Sequence, residues 1–158
     1  MKTLTLLRHA KAERDSPSGR DFDRELNARG RENSARMGEE MRRLGLRFDH
    51  VLASPAQRVV GTVEGVGGLS PQYDERIYNA STEQLRDIIA SVDDSVEKLL
   101  VIGHNPGIER LAAKFAAGEV QEFPTAALAE IELPIEHWRD IDDARGHLVR
   151  FLTPKMLD

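Results

Sequence analysis

Apolar residues recur along the chain in two alternating patterns: short β-favouring runs, and longer stretches with apolar positions three and four apart. Thr3–Leu7 (TLTLL) is the first run and stops at Arg8-His9. Residues 10–25 read as a polar loop broken by Pro17 and Gly19. From Asn27, a candidate N-cap, to about Leu46, the spacing predicts a helix with Met37, Met41 and Leu44 on its inner stripe and small Ser34 and Gly38 between them. Asp49–Ala53 predicts a second strand, and Ser54-Pro55 suits a helix start, with serine as N-cap and proline first in the helix. That helix presents Val59, Val60, Val63 and Val66, but Gly61 and Gly65 each cost about 1 kcal/mol against alanine, so it needs packing support or must be short. Residues 72–78 are a strand or an extended loop. Ser81-x-x-Gln84 forms a capping box before Leu85, Ile88, Ile89 and Val92. Lys98–Ile102 (KLLVI) has the pattern of a strand buried on both faces. Asn105-Pro106 then opens a helix with Ile108, Leu111, Ala112, Phe115 and Ala116 on one face and Gly118 at its end. Two strands, about 126–133 and 148–153, flank a loop holding Trp138. Strand–helix alternation predicts an α/β three-layer sandwich: a mostly parallel open sheet with helices on both faces, one domain over residues 1–158.

Composition narrows the function classes. With 22 Lys and Arg against 27 Asp and Glu, the 158-residue chain carries a net charge of −5, which argues against a general nucleic-acid binder. Nine arginines lie between Arg14 and Arg47, but seven acids are interleaved with them, and the net +2 is too small for a phosphate-tracking face. The absence of cysteine excludes disulfides, thiolate metal sites and a thiol nucleophile. No run nears the ~20 apolar residues of a membrane span, and the apolar start ends at Arg8, too early for a signal peptide. A cytoplasmic monomer with no membrane or nucleic-acid partner is the expectation.

Candidate chemistry gathers at three strand ends: Arg8-His9, Ser54-Pro55 ahead of Arg58, and Gly103-His104. Ligand sites of open parallel sheets lie at the carboxyl ends of the strands. If these strands are parallel neighbours, two arginines, two histidines and two helix N-termini share one crevice and make an anion trap suited to phosphate. Singly, each histidine reads as a hydrogen-bonded structural residue and Arg58 as a surface charge; the joint pattern carries the argument.

LLRHAKA at 6–12, SPAQR at 54–58 and VIGHNPG at 101–107 closely resemble the motifs of the histidine phosphatase superfamily, the phosphoglycerate-mutase-like fold. The short chain and the RHAKA form of the first motif resemble its SixA-type phosphohistidine phosphatase branch, and the resemblance covers roughly residues 3–133. It implies that His9 is the nucleophile that becomes phosphorylated. Arg8 and Arg58 would clamp the phosphoryl oxygens, and His104 would be the second histidine of the pocket. It implies no metal and no cofactor, since protein cations neutralise the charge.

The chain departs from the pattern in places. Val59-Val60-Gly61 stand where many relatives carry glutamine and threonine, with Thr62 still present, and Ala10 stands where many have glycine. Glu75, in DERIY, resembles the position that supplies the general acid in mutase-like relatives; its other reading is a surface carboxylate paired with Arg76. Lys11 and the Arg20, Asp21, Asp23 and Arg24 loop rim the pocket or are simply solvated, and His50, His137 and His147 have no motif support. The leading expectation is dephosphorylation of a histidine-phosphorylated protein, such as a phosphotransfer domain or phosphocarrier. A phosphomonoesterase acting on a small phosphorylated molecule is the alternative, and a non-catalytic phosphate-binding docking module the reading from a different class.

Overall fold

The computed structural model describes residues 1–120 and 122–158. Among these, the strands β1 (Lys2–Arg8), β2 (His50–Ala53), β3 (Gln72–Tyr73), β4 (Lys98–Gly103), β5 (Leu128–Leu133) and β6 (His147–Leu152) form one sheet in the order β3-β2-β4-β1-β5-β6. The first four in that order run parallel, while β5 pairs antiparallel with both β1 and β6. The helices are α1 (Ala28–Arg43), α2 (Gln57–Val66), α3 (Thr82–Ala90) and α4 (Gly107–Phe115). The expected three-layer α/β sandwich is the architecture observed.

Period-two alternation distributes the strand side chains between two cores. Leu4 and Leu6 of β1, with Leu99 and Val101 of β4, pack among Leu85, Ile89, Leu111 and Phe115 of α3 and α4. Their neighbours Leu7, Leu100 and Ile102 face Met37, Met41, Val59 and Val63 of α1 and α2 on the other side. This is why KLLVI is apolar throughout: β4 lies between β2 and β1 and is covered on both faces.

Gly65 of α2 has its reason in packing on α1, while Gly61 lies against the Leu26 side chain. A Cβ on Gly65 would meet the Ser34 side chain, and one on Gly38 would collide with the Val66 carbonyl. The helices cross where both surfaces are small, and close backbone approach offsets the propensity cost of glycine. Asn27 caps α1 as expected, its side chain accepting from the Gly30 amide, and the Ser81–Gln84 box closes in both directions.

Several boundaries differ from the pattern reading. The helix expected to start at Ser54-Pro55 starts at Gln57 with Ala56 as N-cap, and the one expected to start at Asn105-Pro106 starts at Gly107 with Pro106 as N-cap. Ser54 Oγ still accepts from the Ala56 amide at 3.3 Å but also bonds His104, and Asn105 Nδ2 is engaged with the Phe123 carbonyl. The strand placed at 126–133 begins at Leu128, because Ala126, at φ 60°, turns its amide toward the Arg8 and His9 carbonyls. Residues 72–78 resolve into the two-residue β3 and a 3-10 turn at Glu75–Ile77. Trp138 opens a further 3-10 turn, Trp138–Asp143, fully buried with its indole N–H donating to the Val96 carbonyl at 2.8 Å. No helix among the described residues is long and apolar enough to cross a membrane.

Candidate active site

The parallel register brings the three motif segments together. Arg8 pairs with Gly103, and Ala53 with Ile102, so the carboxyl ends of β1, β2 and β4 lie side by side. His9 follows β1, Ser54 follows β2, His104 follows β4, and Arg58 stands in the first turn of α2. The rings of His9 and His104 are 5.3 Å apart between centroids.

His9 is held by its backbone and its ring. Its amide donates to the Gly103 carbonyl at 3.1 Å, and its carbonyl accepts from the Ala126 amide at 3.0 Å. Ring Nδ1 lies 2.7 Å from the Ala10 carbonyl. A carbonyl can only accept, so Nδ1 carries the proton and, in the neutral ring, Nε2 keeps its lone pair. The ring stays neutral at physiological pH: burial, at 8% exposure, pulls its pKa down to about 4, and the Arg58, Arg8 and Arg24 cations add to the shift. The bond to Ala10 opposes it only in part. A neutral imidazole with Nε2 free is the form that can attack phosphorus.

His104 sits in similar surroundings. Burial lowers its pKa to about 3, and His9 and Arg58 push in the same direction. Its Nε2 is 2.8 Å from Ser54 Oγ, while Nδ1 is buried with no partner.

The two arginines are oriented from their outer edges. Arg8 donates from Nη1 to the Phe123 carbonyl at 3.0 Å. Arg58, 5% exposed, donates from Nη1 to the Asp21 carbonyl at 2.9 Å and from Nη2 to Asp21 Oδ2 at 3.0 Å. In both, Nε is buried and unpartnered. Unmatched buried donors are rare because each forfeits its hydration. Arg8 and Arg58 lie near enough for their charges to act on both His9 and His104, and each leaves Nε without a partner, as His104 leaves Nδ1. Such a set suits a tetrahedral oxyanion bonded to Nε2 of His9.

A second group of residues braces Arg58. Asp21 Oδ2 also accepts from the Tyr78 hydroxyl at 2.7 Å, and Oδ1 from Arg24 Nε at 2.9 Å. These bonds, the one from Tyr78 foremost, hold the Asp21 carboxyl down at about 2, so it is ionised at neutral pH. The Tyr78 ring lies edge-on to Phe22 and to His104. Thr62 joins motif to helix: its Oγ1 accepts from the Ala10 amide at 2.9 Å and donates to the Arg58 carbonyl at 2.8 Å.

The structure therefore brings Arg8, His9, Arg58 and His104 together. Glu75 is exposed on the 75–77 turn, and among the described residues its carboxylate makes no hydrogen bond or ion pair. The pairing expected between Glu75 and Arg76 does not form. Arg76 is bound by Asp74, two residues back, whose carboxylate also caps the turn. Lys11 is exposed. The sequence reading gave Asp21 no definite part and did not single out Tyr78, Ser54 as a partner of His104, or Thr62 as a brace.

Comparisons with known proteins agree with this geometry. The family model of the histidine phosphatase superfamily (branch 1) matches residues 4–91. An uncharacterized protein of Mycobacterium tuberculosis (strain H37Rv) is 33% identical over 161 residues, spanning 94% of this chain and 100% of that protein. Among solved structures, a provisionally assigned phosphohistidine phosphatase SixA from Agrobacterium tumefaciens is 30% identical, with 97% of this chain and 98% of that chain covered at a TM-score of 0.82. The protein histidine phosphatase SixA in complex with tungstate shares the fold at 24% identity, with 99% of each chain covered and a TM-score of 0.82.

Proposed function

The chain belongs to the histidine phosphatase superfamily, in its SixA-type branch, and is a phosphatase; we propose that its substrate is a phosphohistidine displayed on a protein. The observation that carries this reading is the state of His9: neutral, protonated on Nδ1, with Nε2 free and unpartnered nitrogens on the nearby Arg8, Arg58 and His104.

In the first step His9 Nε2 forms a bond to phosphorus as the bond from phosphorus to the substrate imidazole breaks. Arg8, Arg58 and His104 hold the equatorial oxygens. The leaving imidazole departs neutral if its ring already carries a proton, so the enzyme need not supply an acid. In the second step water attacks phosphorus, the bond to Nε2 breaks, and inorganic phosphate leaves. The exposed position of Glu75 supports a reaction without an enzymic acid, which an imidazole leaving group tolerates and an alkoxide does not. Binding of tungstate, a tetrahedral oxyanion, by the SixA protein histidine phosphatase also supports an oxyanion pocket here. With two arginines neutralising the phosphoryl group, turnover should be unchanged by EDTA.

A substrate panel tests the reading. Phosphohistidine protein, free phosphohistidine, p-nitrophenyl phosphate and sugar phosphates are compared at matched concentration. The proposal predicts the highest kcat/KM on the phosphoprotein; faster hydrolysis of a sugar phosphate would replace it with the phosphomonoesterase reading.

A further inference from the structure

Beside the catalytic residues the surface reverses the sign of the chain. Although the protein carries a net charge of −5, a groove of about 520 Å³ is walled by Lys11, Arg29, Arg36 and Lys155, with Asp158 as its one acid. Asp158 is already bound to Arg36 at 2.7 Å. Lys11, Arg29 and Lys155 are exposed and form no ion pair among the described residues. Arg29, Asn33 and Arg36 are spaced four and three apart on α1, which aligns them on one helix face.

The groove is continuous with the site in the backbone. Lys11 is two residues beyond His9, and its carbonyl accepts from the amide of Asn27, the cap of α1. On the opposite wall, Pro124 and Thr125 lie between Phe123, whose carbonyl holds Arg8, and Ala126, whose amide donates to the His9 carbonyl. The groove thus adjoins the strand end that carries the nucleophile but contributes no side chain to the phosphate pocket.

We propose that this groove is the docking surface for an acidic patch on the phosphohistidine-bearing protein, a proposal that rests on the substrate reading above. Three exposed cations with no ion-pair partner among the described residues give an otherwise acidic protein a local positive field, which an acidic patch would complement. At a rim still reached by solvent, their effect falls mainly on encounter and orientation. A small substrate such as p-nitrophenyl phosphate spans only the pocket and has nothing to place in the groove.

The test is kinetic, with three variants: Arg29→Glu, Lys155→Glu, and Arg139→Glu, an exposed arginine on the 138–143 turn, as a control of equal charge change. The substrates are histidine-phosphorylated phosphotransfer domains or phosphocarriers of acidic and of basic net charge, and p-nitrophenyl phosphate. In the wild type, kcat/KM on the acidic phosphoprotein should fall as salt is raised. Arg29→Glu and Lys155→Glu should each lower it about fivefold or more at low salt and weaken the salt dependence. Arg139→Glu should change it less than about twofold, and p-nitrophenyl phosphate turnover should hold within the same limit in all variants. An unchanged kcat/KM on the acidic phosphoprotein, with the wild type active on it, would overturn the docking surface alone. An equal loss on p-nitrophenyl phosphate would place these cations in the phosphate pocket and overturn it too. A wild type active on p-nitrophenyl phosphate but inert on every phosphoprotein would overturn both this proposal and the substrate reading.

Discussion

The site has two walls of different construction. One is formed by the ends of β1, β2 and β4: Arg8, His9, Ser54 and His104 extend from three hydrogen-bonded parallel strands with apolar layers above and below. The other is the polar segment after β1, where Asp21 on an exposed 3-10 turn reaches Arg58, Arg24 and Tyr78. The strand-end wall fixes the reacting nitrogen through backbone bonds that no single side-chain change removes. The loop wall fixes one arginine through one residue, the carbonyl and the half-exposed carboxylate of Asp21. Chemistry sits on the rigid wall, and the orientation of its second arginine is delegated to the soft one. Changes on the first should therefore abolish turnover, and changes on the second should grade it.

The largest effect is expected at His9. His9→Asn removes the nucleophile and should lower kcat by more than about 10⁴-fold on any substrate, with the fold intact by circular dichroism. The next lies on the boundary between the walls. Arg58→Lys keeps the charge but loses the fork, and should cost about 10²-fold in kcat/KM. Asp21→Ala should cost about 10-fold, and in the Arg58→Lys background it should cost almost nothing further, because Asp21 acts through Arg58. Additive losses in that cycle would detach Asp21 from Arg58 and make the loop wall a merely structural feature.

A smaller effect is expected at Glu75, which belongs to neither wall. Glu75→Gln should lose less than about 10-fold on phosphohistidine protein, since the proton on the leaving imidazole is not the enzyme's to supply. A loss of about 10³-fold would make Glu75 an acid and move the phosphomonoesterase reading to first place.

The smallest effect concerns stability and acid. Both site histidines have folded-state pKa values, about 4 and about 3, below the ordinary 6.5, so in moderate acid the unfolded chain binds protons that the folded one does not. Their contribution is fully present above pH 6.5 and is lost progressively as pH falls from there through 4 toward 3. Thermal unfolding should show Tm falling across that window in the wild type and less steeply in His104→Gln. Parallel curves would show that His104 is not held neutral.

The two walls also differ in how far they could be read from sequence. Strand ends are legible because a buried parallel strand is an unbroken apolar run, and a charged or imidazole residue where it stops stands out, as in TLLRH and LLVIGH. The neighbourhood of β1, β2 and β4 then follows from strand–helix alternation. Ser54 and Asn105 show the limit of an N-cap preference, which is local: Ser54 does meet the Ala56 amide, but His104 and, for Asn105, the Phe123 carbonyl come from distant segments. Asp21 is hard to single out among interleaved arginines and acids, since Arg24, three residues on, already offers it a local partner. Tyr78 carries no periodic signal, since it follows a three-residue turn. The glycines of α2 read as a weakness because propensity is a single-helix quantity, and the residues that answer them, Ser34 of α1 for Gly65 and Leu26 for Gly61, lie more than twenty residues upstream.

The account turns on Nε2 of His9, and rapid-quench phosphoryl trapping tests it most directly. The protein is mixed with phosphorus-labelled phosphohistidine protein, quenched in base within the first turnover, digested and mapped. The account predicts base-stable, acid-labile label on the peptide containing residues 1–14, with the phosphorus resonance of an Nε2-linked phosphohistidine at His9. Label on His104 or linkage through Nδ1 of His9 would contradict it, as would turnover with no trapped phosphoprotein.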